Sequence, residues 1–415
     1  MLLITADYLH WSTVQDEQLA WRQQSLAHMG SHGQKLPASL LLSAQSQQSL
    51  RKSPPKRCNF RSATIRDYEN QLRAYSSRKK MFCYFATIKV KSSAGKSIIH
   101  MTAKDFVRSM SPGLSQPEGL GLNHYITIEK DDLHKLHVRG VSKDSIFYKL
   151  RPDGMVTYAD FLYLRSLVVM SEKYFEMGFK LIDKQGKQML DKNEMSLLLF
   201  GIPDASLKIT SSVKYYLFGP KLDQKLSLNQ FLQFKRQLFH DIIQLEFNML
   251  KKKCSKRADT LNHQPSHKIS ELRFANLLLD YSRMPKSRKK ERLERTHRRY
   301  QKNPQGVTFE EFVAFFKFIQ HLHTIETALT FHSLTGAGLS RTTFKHISDV
   351  VVRSPLSSHV IDIIFSVFAN EQSGNLRYNE FIEMARNRLS RCTIISFKLG
   401  QVLSSIYRCA ERTYF

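Results

Sequence analysis

Carboxylates are scarce in this chain of 415 residues: 36 Asp and Glu stand against 63 Lys and Arg, for a formal charge of +27. Cysteine is scarce too. Five cysteines (Cys58, Cys83, Cys254, Cys392, Cys409) without a CxxC spacing exclude a disulfide framework and a zinc ribbon. Their odd number leaves one for an intermolecular bond in an oxidising compartment. A P-loop, a GxGxxG turn and an HExxH helix are all missing, so nucleotide and metalloprotease chemistry have no footing and the chain is expected to be no enzyme. The longest apolar run of the N-terminal stretch, 38–44, is interrupted by Ser39 and Ser43 and is far short of the roughly 20 residues that span a bilayer.

What the chain does have is a repeat. Seven times an aliphatic residue is followed five positions later by a large apolar one: Val156/Phe161, Leu190/Met195, Leu226/Phe231, Ile269/Phe274, Val307/Phe312, Leu339/Phe344 and Leu376/Phe381. The copies are 32 to 43 residues apart, the period of a supersecondary unit. An EF-hand explains the step of five: position 8 of its 12-residue loop is a short strand residue that pairs with a sister loop, and position 13 starts the buried face of the exiting helix. The residue at position 10 alternates between apolar (Tyr158, Leu228, Phe309, Tyr378) and polar (Lys192, Glu271, Arg341), as expected if hooks work in pairs. A plain helical solenoid shares the period but does not require the fixed step. The acidic pair Glu310/Glu311 belongs to this pattern and is not a catalytic dyad.

A calcium loop needs oxygens at positions 1, 3, 5, 7, 9 and 12 and a glycine at 6. Loop 2, 183–194, keeps Asp183, Gln185, the Met189 carbonyl, Asp191 and Glu194, but has Lys187 at position 5 and Gln188 at 6. Loop 7, 369–380, keeps Glu371, Ser373, Asn375 and Glu380 with Gly374 at 6, but begins on Ala369 and has Arg377 at 9. The other five loops are not metal loops. A cationic side chain inside the shell replaces a ligand and repels the ion, so calcium is expected to bind weakly at loop 2 and to be lost at loop 7.

Upstream of the hooks, the segments KRCNFR (56–61), RDYENQLRAYSS (66–77), MFCYFATIKV (81–90), MTAKDFVRSMSP (101–112) and QPEGLGLNHYI (116–126) resemble the mitochondrial calcium uptake proteins, EF-hand regulators of the calcium uniporter. SVKYYLFGPKL (212–222) and TALTFHSLTGAGLS (327–340) extend the likeness, which runs over about 56–412 and is nearest to the first animal paralogue. The resemblance implies two calcium-binding loops at the positions of loops 2 and 7. It implies that Arg73 and Arg108, with Lys56 and Arg57 before them, grip acidic residues at the pore mouth, a task suited to the planar guanidinium fork. Solvated or locally paired arginines are the plainer alternative. Cys409 matches the cysteine of a disulfide-linked homo- or heterodimer with a paralogous EF-hand subunit. The location implied is the intermembrane space, peripheral to the inner membrane.

The expected fold class is mainly α: two EF-hand lobes with short paired loop strands, after a small α+β front domain and before a C-terminal helix. The boundaries are a leader at 1–55, transit-like in composition and largely disordered, a front domain at 56–127, lobes at 128–266 and 267–389, and a helix at 390–415. FCYFATIKV alternates and is rich in β-formers, which predicts a strand. The basic run 286–302 predicts a cationic helix facing anionic lipid, an acidic protein or solvent; no aromatic interleaving points to nucleic acid. The resemblance, taken with the degenerate loops, implies a gatekeeper of mitochondrial calcium uptake with weak or lost calcium sensing. The alternative is a calcium-independent adaptor that uses the basic helix.

Overall fold

A computed structural model describes residues 60–91, 97–121, 124–130, 132, 140–183, 186, 188–201, 210–252, 268–334, 338–352 and 355–390. The leader, Lys56, Arg57, Gln185, Lys187, Cys409 and the C-terminal helix beyond 390 lie outside the described residues.

Helices α1 (Phe60–Tyr75) and α2 (Arg78–Phe85) open the described chain. The apolar stretch FCYFATIKV is therefore divided, helical through Phe85 and extended only from Ile88. Ser77 caps α2 by accepting from the Lys80 amide, and Met81, Phe82 and Phe85 fall on one buried face. Strand β1 (Ile88–Lys91) pairs antiparallel with β2 (Ser97–Thr102). Thr102 and Asp105 then form a capping box that starts α3 (Ala103–Met110), and β3 (Ile126–Glu129) runs parallel to β1.

The hooks follow in order. Hook 1 is α4 (Ile146–Leu150), β4 (Met155–Val156) and α5 (Tyr158–Val169); hook 2 is α6 (Glu172–Ile182), β5 (Met189–Leu190) and α7 (Lys192–Phe200). Hook 3 is α8 (Ser212–Phe218), β6 (Leu226–Ser227) and α9 (Leu228–Lys252), and hook 4 exits through α10 (Glu271–Asp280). Hook 5 joins α11 (Lys286–Tyr300) to α12 (Phe309–Gln320), hook 6 joins α13 (Leu322–Leu334) to α14 (Arg341–Val352), and hook 7 joins α15 (Ser358–Phe368) to α16 (Tyr378–Leu389).

Each of the fourteen residues that define the repeat is buried. Their rings meet across hooks: Phe274 on Phe312 with centroids 6.0 Å apart, and Phe344 on Phe381 at 5.5 Å. Truncating one such Phe to Ala costs about 3–5 kcal/mol, so the step of five is written in core energetics.

Loop strands join the hooks in twos. Leu190 pairs with Leu226, Ile269 with Val307, and the Leu376 amide donates to the Leu339 carbonyl at 2.9 Å. Hooks 2 and 3, 4 and 5, and 6 and 7 are thus partners, each combining a polar position 10 with an apolar one. Among the described residues hook 1 pairs with no sister hook. Its Val156 pairs with Met101 of β2, so β4 completes a front sheet of order β3-β1-β2-β4.

Candidate calcium loops and partner-facing residues

In loop 2 the Asp183 carboxylate accepts from the Gln188 amide at 2.5 Å, closing the turn. Gln188 stands at φ +55°, in the left-handed region where glycine is favoured. The loop thus keeps the EF-hand bend with a strained residue at position 6. Asp191 and Glu194 are turned to the backbone: Asp191 accepts from the Glu194 amide and Glu194 from the Asp191 amide, both at 2.8 Å, as the capping box of α7. The Met189 carbonyl belongs to β5, paired with Ser227.

Loop 7 answers to arginines. Glu371 lies 3.4 Å from Arg295 of α11, and Glu380 lies 3.6 Å from Arg288 and 3.5 Å from Arg377. Gly374 keeps a positive φ of 65° at position 6. The hydroxyl of Ser373 accepts from the Asn375 amide within the turn. Arg377 leaves α16 without a side-chain cap, unlike the exiting helices of hooks 1, 2 and 5, where a capping box stands.

Among the described residues no group of three or more His, Cys, Asp or Glu is placed to hold a metal ion. The donor set of loop 7 does not fit calcium, because Ala369 offers no side-chain oxygen and both carboxylates face guanidinium groups. Loop 2 retains carboxylates at positions 1, 9 and 12, each already engaged by a backbone amide.

Positions 12 and 10 of other loops do a second job that ligand counting hides. In loop 1, Asp160 is 1% exposed; it caps α5 with Thr157 and accepts from the Ser211 hydroxyl (2.7 Å) and the Ser212 amide (2.6 Å) at the start of α8. In hooks 4 and 5, Glu271 accepts from the Gln305 and Gly306 amides, both at 2.7 Å, and His359 lies 3.4 Å away. The T-x-x-D and T-x-x-E spacings at 157–160 and 308–311 are the sequence signal for the helix starts.

The two arginines expected to grip a partner differ sharply. Arg73, read as a partner-gripping or locally paired arginine, is buried here: its side chain has no exposed area. It donates to the Arg108 carbonyl (3.0 Å), Asn70 (2.8 Å) and the Leu114 carbonyl (2.7 Å), with the Phe85 ring 4.6 Å away. Arg108 is 17% exposed and paired with Asp105, whose carboxyl is pushed up by burial and pulled back by Arg108 and Thr87. The basic helix α11 is likewise only half a surface. Arg292 is 3% exposed, whereas the Lys286 and Lys290 side chains are 82% and 80% exposed. Among the described residues no helix is long and apolar enough to cross a membrane.

No protein-family model matches the chain. It is 32% identical over 381 residues to mouse (Mus musculus) calcium uptake protein 1, mitochondrial, a match covering 86% of this chain and 77% of that protein. The chain belongs to the mitochondrial calcium uptake protein family. The family's Caenorhabditis elegans homolog of calcium uptake protein 1 is 32% identical over 386 residues, covering 88% of this chain and 70% of its own. In fold the chain is similar to the apo structure of the mitochondrial calcium uniporter protein MICU2, with a TM-score of 0.57 at 20% identity over 81% of this chain and 95% of that one. It is also similar to EFHA2 in its calcium-binding state, with a TM-score of 0.55 at 23% identity over 74% and 98%. The EF-hand fold class is thereby established, and the relatives are mitochondrial proteins named for calcium uptake.

Proposed function

We propose that this chain is a regulatory subunit of the mitochondrial calcium uniporter, a gatekeeper of calcium uptake with weak or lost calcium sensing, peripheral to the inner membrane on its intermembrane-space side. The observation that carries the reading is the extent of the match to calcium uptake protein 1, which takes in 86% of the chain and so more than the seven hooks occupy. The chain regulates rather than catalyses. Arg108, with Lys56 and Arg57, is its contact to acidic residues of the pore complex, and Cys409 links it to a second copy or to a paralogous EF-hand subunit. Calcium shifts a gate only through its differential affinity for the two states, so loops that hold it weakly leave the gate in one of them. The division at 127, 266 and 389 is part of the proposal; pairing between hook loops among the described residues supports the boundary at 266, whereas β3 and the β2–β4 pairing run across 127.

Two measurements test this. Arg108→Gln is expected to reduce co-purification with the pore complex several-fold at an unchanged protein level; undiminished co-purification would sink the docking role. Calorimetric calcium titration is expected to give no micromolar binding; micromolar binding abolished by Glu194→Lys would restore calcium sensing at loop 2.

The second reading is a calcium-independent adaptor that binds acidic partners or anionic membrane through α11. The outward lysines favour it, Lys286 and Lys290, 82% and 80% exposed. It requires that Lys290→Glu abolish binding to anionic vesicles and that Arg108→Gln change nothing.

A further inference from the structure

Arginine and lysine are sorted around α11. Arg288, Arg292, Arg295 and Arg299 recur at steps of four, three and four, which puts them on one helix face. That face runs antiparallel along α15 and into loop 7. Arg299 pairs with Asp362 at 3.4 Å, near the start of α15. One turn on, Arg295 donates to the carbonyls of Ser366 (2.6 Å) and Ala369 (3.2 Å) and reaches Glu371. Arg292 donates to the same Ala369 carbonyl at 2.7 Å, and Arg288 reaches Glu380.

Ala369, Glu371 and Glu380 are positions 1, 3 and 12 of loop 7. These are the places from which an EF-hand directs oxygen at its ion. In this chain they direct oxygen at guanidinium groups carried by another hook. A guanidinium suits the exchange, since it is permanently charged, offers five donors in a fixed plane and is less costly to dehydrate than an ammonium. The outer contacts are modest by themselves, because Glu371 and Arg288 are 59% and 47% exposed and such pairs contribute little. The weight lies in the two donors on one carbonyl, Arg292 buried and Arg295 partly buried.

We propose that Arg288, Arg292 and Arg295 serve loop 7 as a resident cation: they hold its oxygens in one arrangement without metal and fasten hook 7 to hook 5. A divalent ion entering the loop has to displace the three guanidinium charges that the fold itself supplies. The angle between α15 and α16 is therefore set by α11, and hook 7 is a brace rather than a sensor. This deepens the weak-calcium part of the reading above and is independent of whether the chain meets the uniporter.

The test uses the full chain. Thermal unfolding in chelator and in millimolar calcium is compared for the parent, Arg292→Met and Arg295→Gln. Both variants are expected to lower the midpoint by the same few degrees in the two conditions; midpoints equal to the parent's overturn the proposal. Should Arg292→Met fail to fold, Arg288→Gln on its more exposed pair keeps the comparison readable. Terbium luminescence, displaced by calcium, assigns any bound ion to a loop. Signal that falls with Glu380→Gln overturns the resident cation. Signal that falls only with Glu194→Gln counts against weak sensing at loop 2 and leaves the brace standing.

Discussion

The guanidinium of Arg388 in α16 faces the carboxylate of Glu246 in α9 with both terminal nitrogens, at 2.8 and 2.5 Å, across 142 residues of chain. Both side chains are buried, the Tyr281 hydroxyl accepts from the same guanidinium, and the Phe316 ring lies 4.2 Å away. Burial works against the charge, but Glu246 and Tyr281 outweigh it and hold Arg388 above its ordinary pKa. Removing one partner strands the other in the core. Arg388→Ala is expected to lose about 3–5 kcal/mol in urea unfolding, and Arg388→Met combined with Glu246→Leu to recover most of it. A loss below about 1 kcal/mol in the single variant would place the pair at a solvated surface.

Arg73 should behave as a folding residue. Arg73→Glu puts a carboxylate among the carbonyls of Arg108 and Leu114 and beside Glu69. Limited proteolysis is expected to cut within 60–129 in that variant and not in the parent. Resistance equal to the parent's would reopen a surface role.

Asp160 starts two helices at once, so its loss should exceed that of a single cap. Asp160→Ala is expected to cost about 2 kcal/mol or more, since a buried network of donors is left unpaired, whereas Asp191→Ala, at a half-buried single cap, should cost about 1 kcal/mol. Equal losses for the two would argue that Ser211 and Ser212 find other partners.

Lys235 is buried beside the Met170 carbonyl, to which it donates, and burial brings its pKa down to about 8 from the ordinary 10.5. Between those two values the unfolded chain holds a proton that the folded chain has released, so this residue makes stability rise with pH across that window. Below about pH 8 the penalty is present in full. Denaturant midpoints measured from pH 7 to 10 should climb more steeply in the parent than in Lys235→Met. Parallel curves would mean that the ammonium finds water in the folded state.

Gln188 holds a left-handed backbone at the turn of loop 2, and glycine adopts that conformation without strain. Gln188→Gly is expected to stabilise by about 0.5–1 kcal/mol, the strain relieved exceeding the entropy added to the unfolded chain. Lower stability would show that the Gln188 side chain makes contacts worth more than the strain.

The hooks were legible because a core position repeats wherever the same packing problem repeats. Val156 through Phe381 could be found by counting. The pairing of hooks was legible in the alternation at position 10, where each pair combines an apolar residue with a polar one. FCYF was misread because alternation in a short apolar run does not separate strand from helix; the Ser77 cap decided it. Arg73 and Arg108 look alike in sequence, and only the folded carbonyls of Arg108 and Leu114 separate a fully buried clamp from a partly exposed ion-paired arginine. The arginine stripe of α11 was visible in its spacing. Its target was not, because α15 and loop 7 lie some seventy residues away and nothing local identifies them.

Seven is an odd number for units that join in twos, and the sheet formed by Met101 and Val156 resolves the remainder. Cut free of the front sheet, β4 would present an unsatisfied row of amides and carbonyls, the kind of edge that recruits a strand from another molecule. A fragment beginning near 140 should therefore be prone to self-association however well its own hooks pair. The front segment is thus a solubility device for the hooks that follow it.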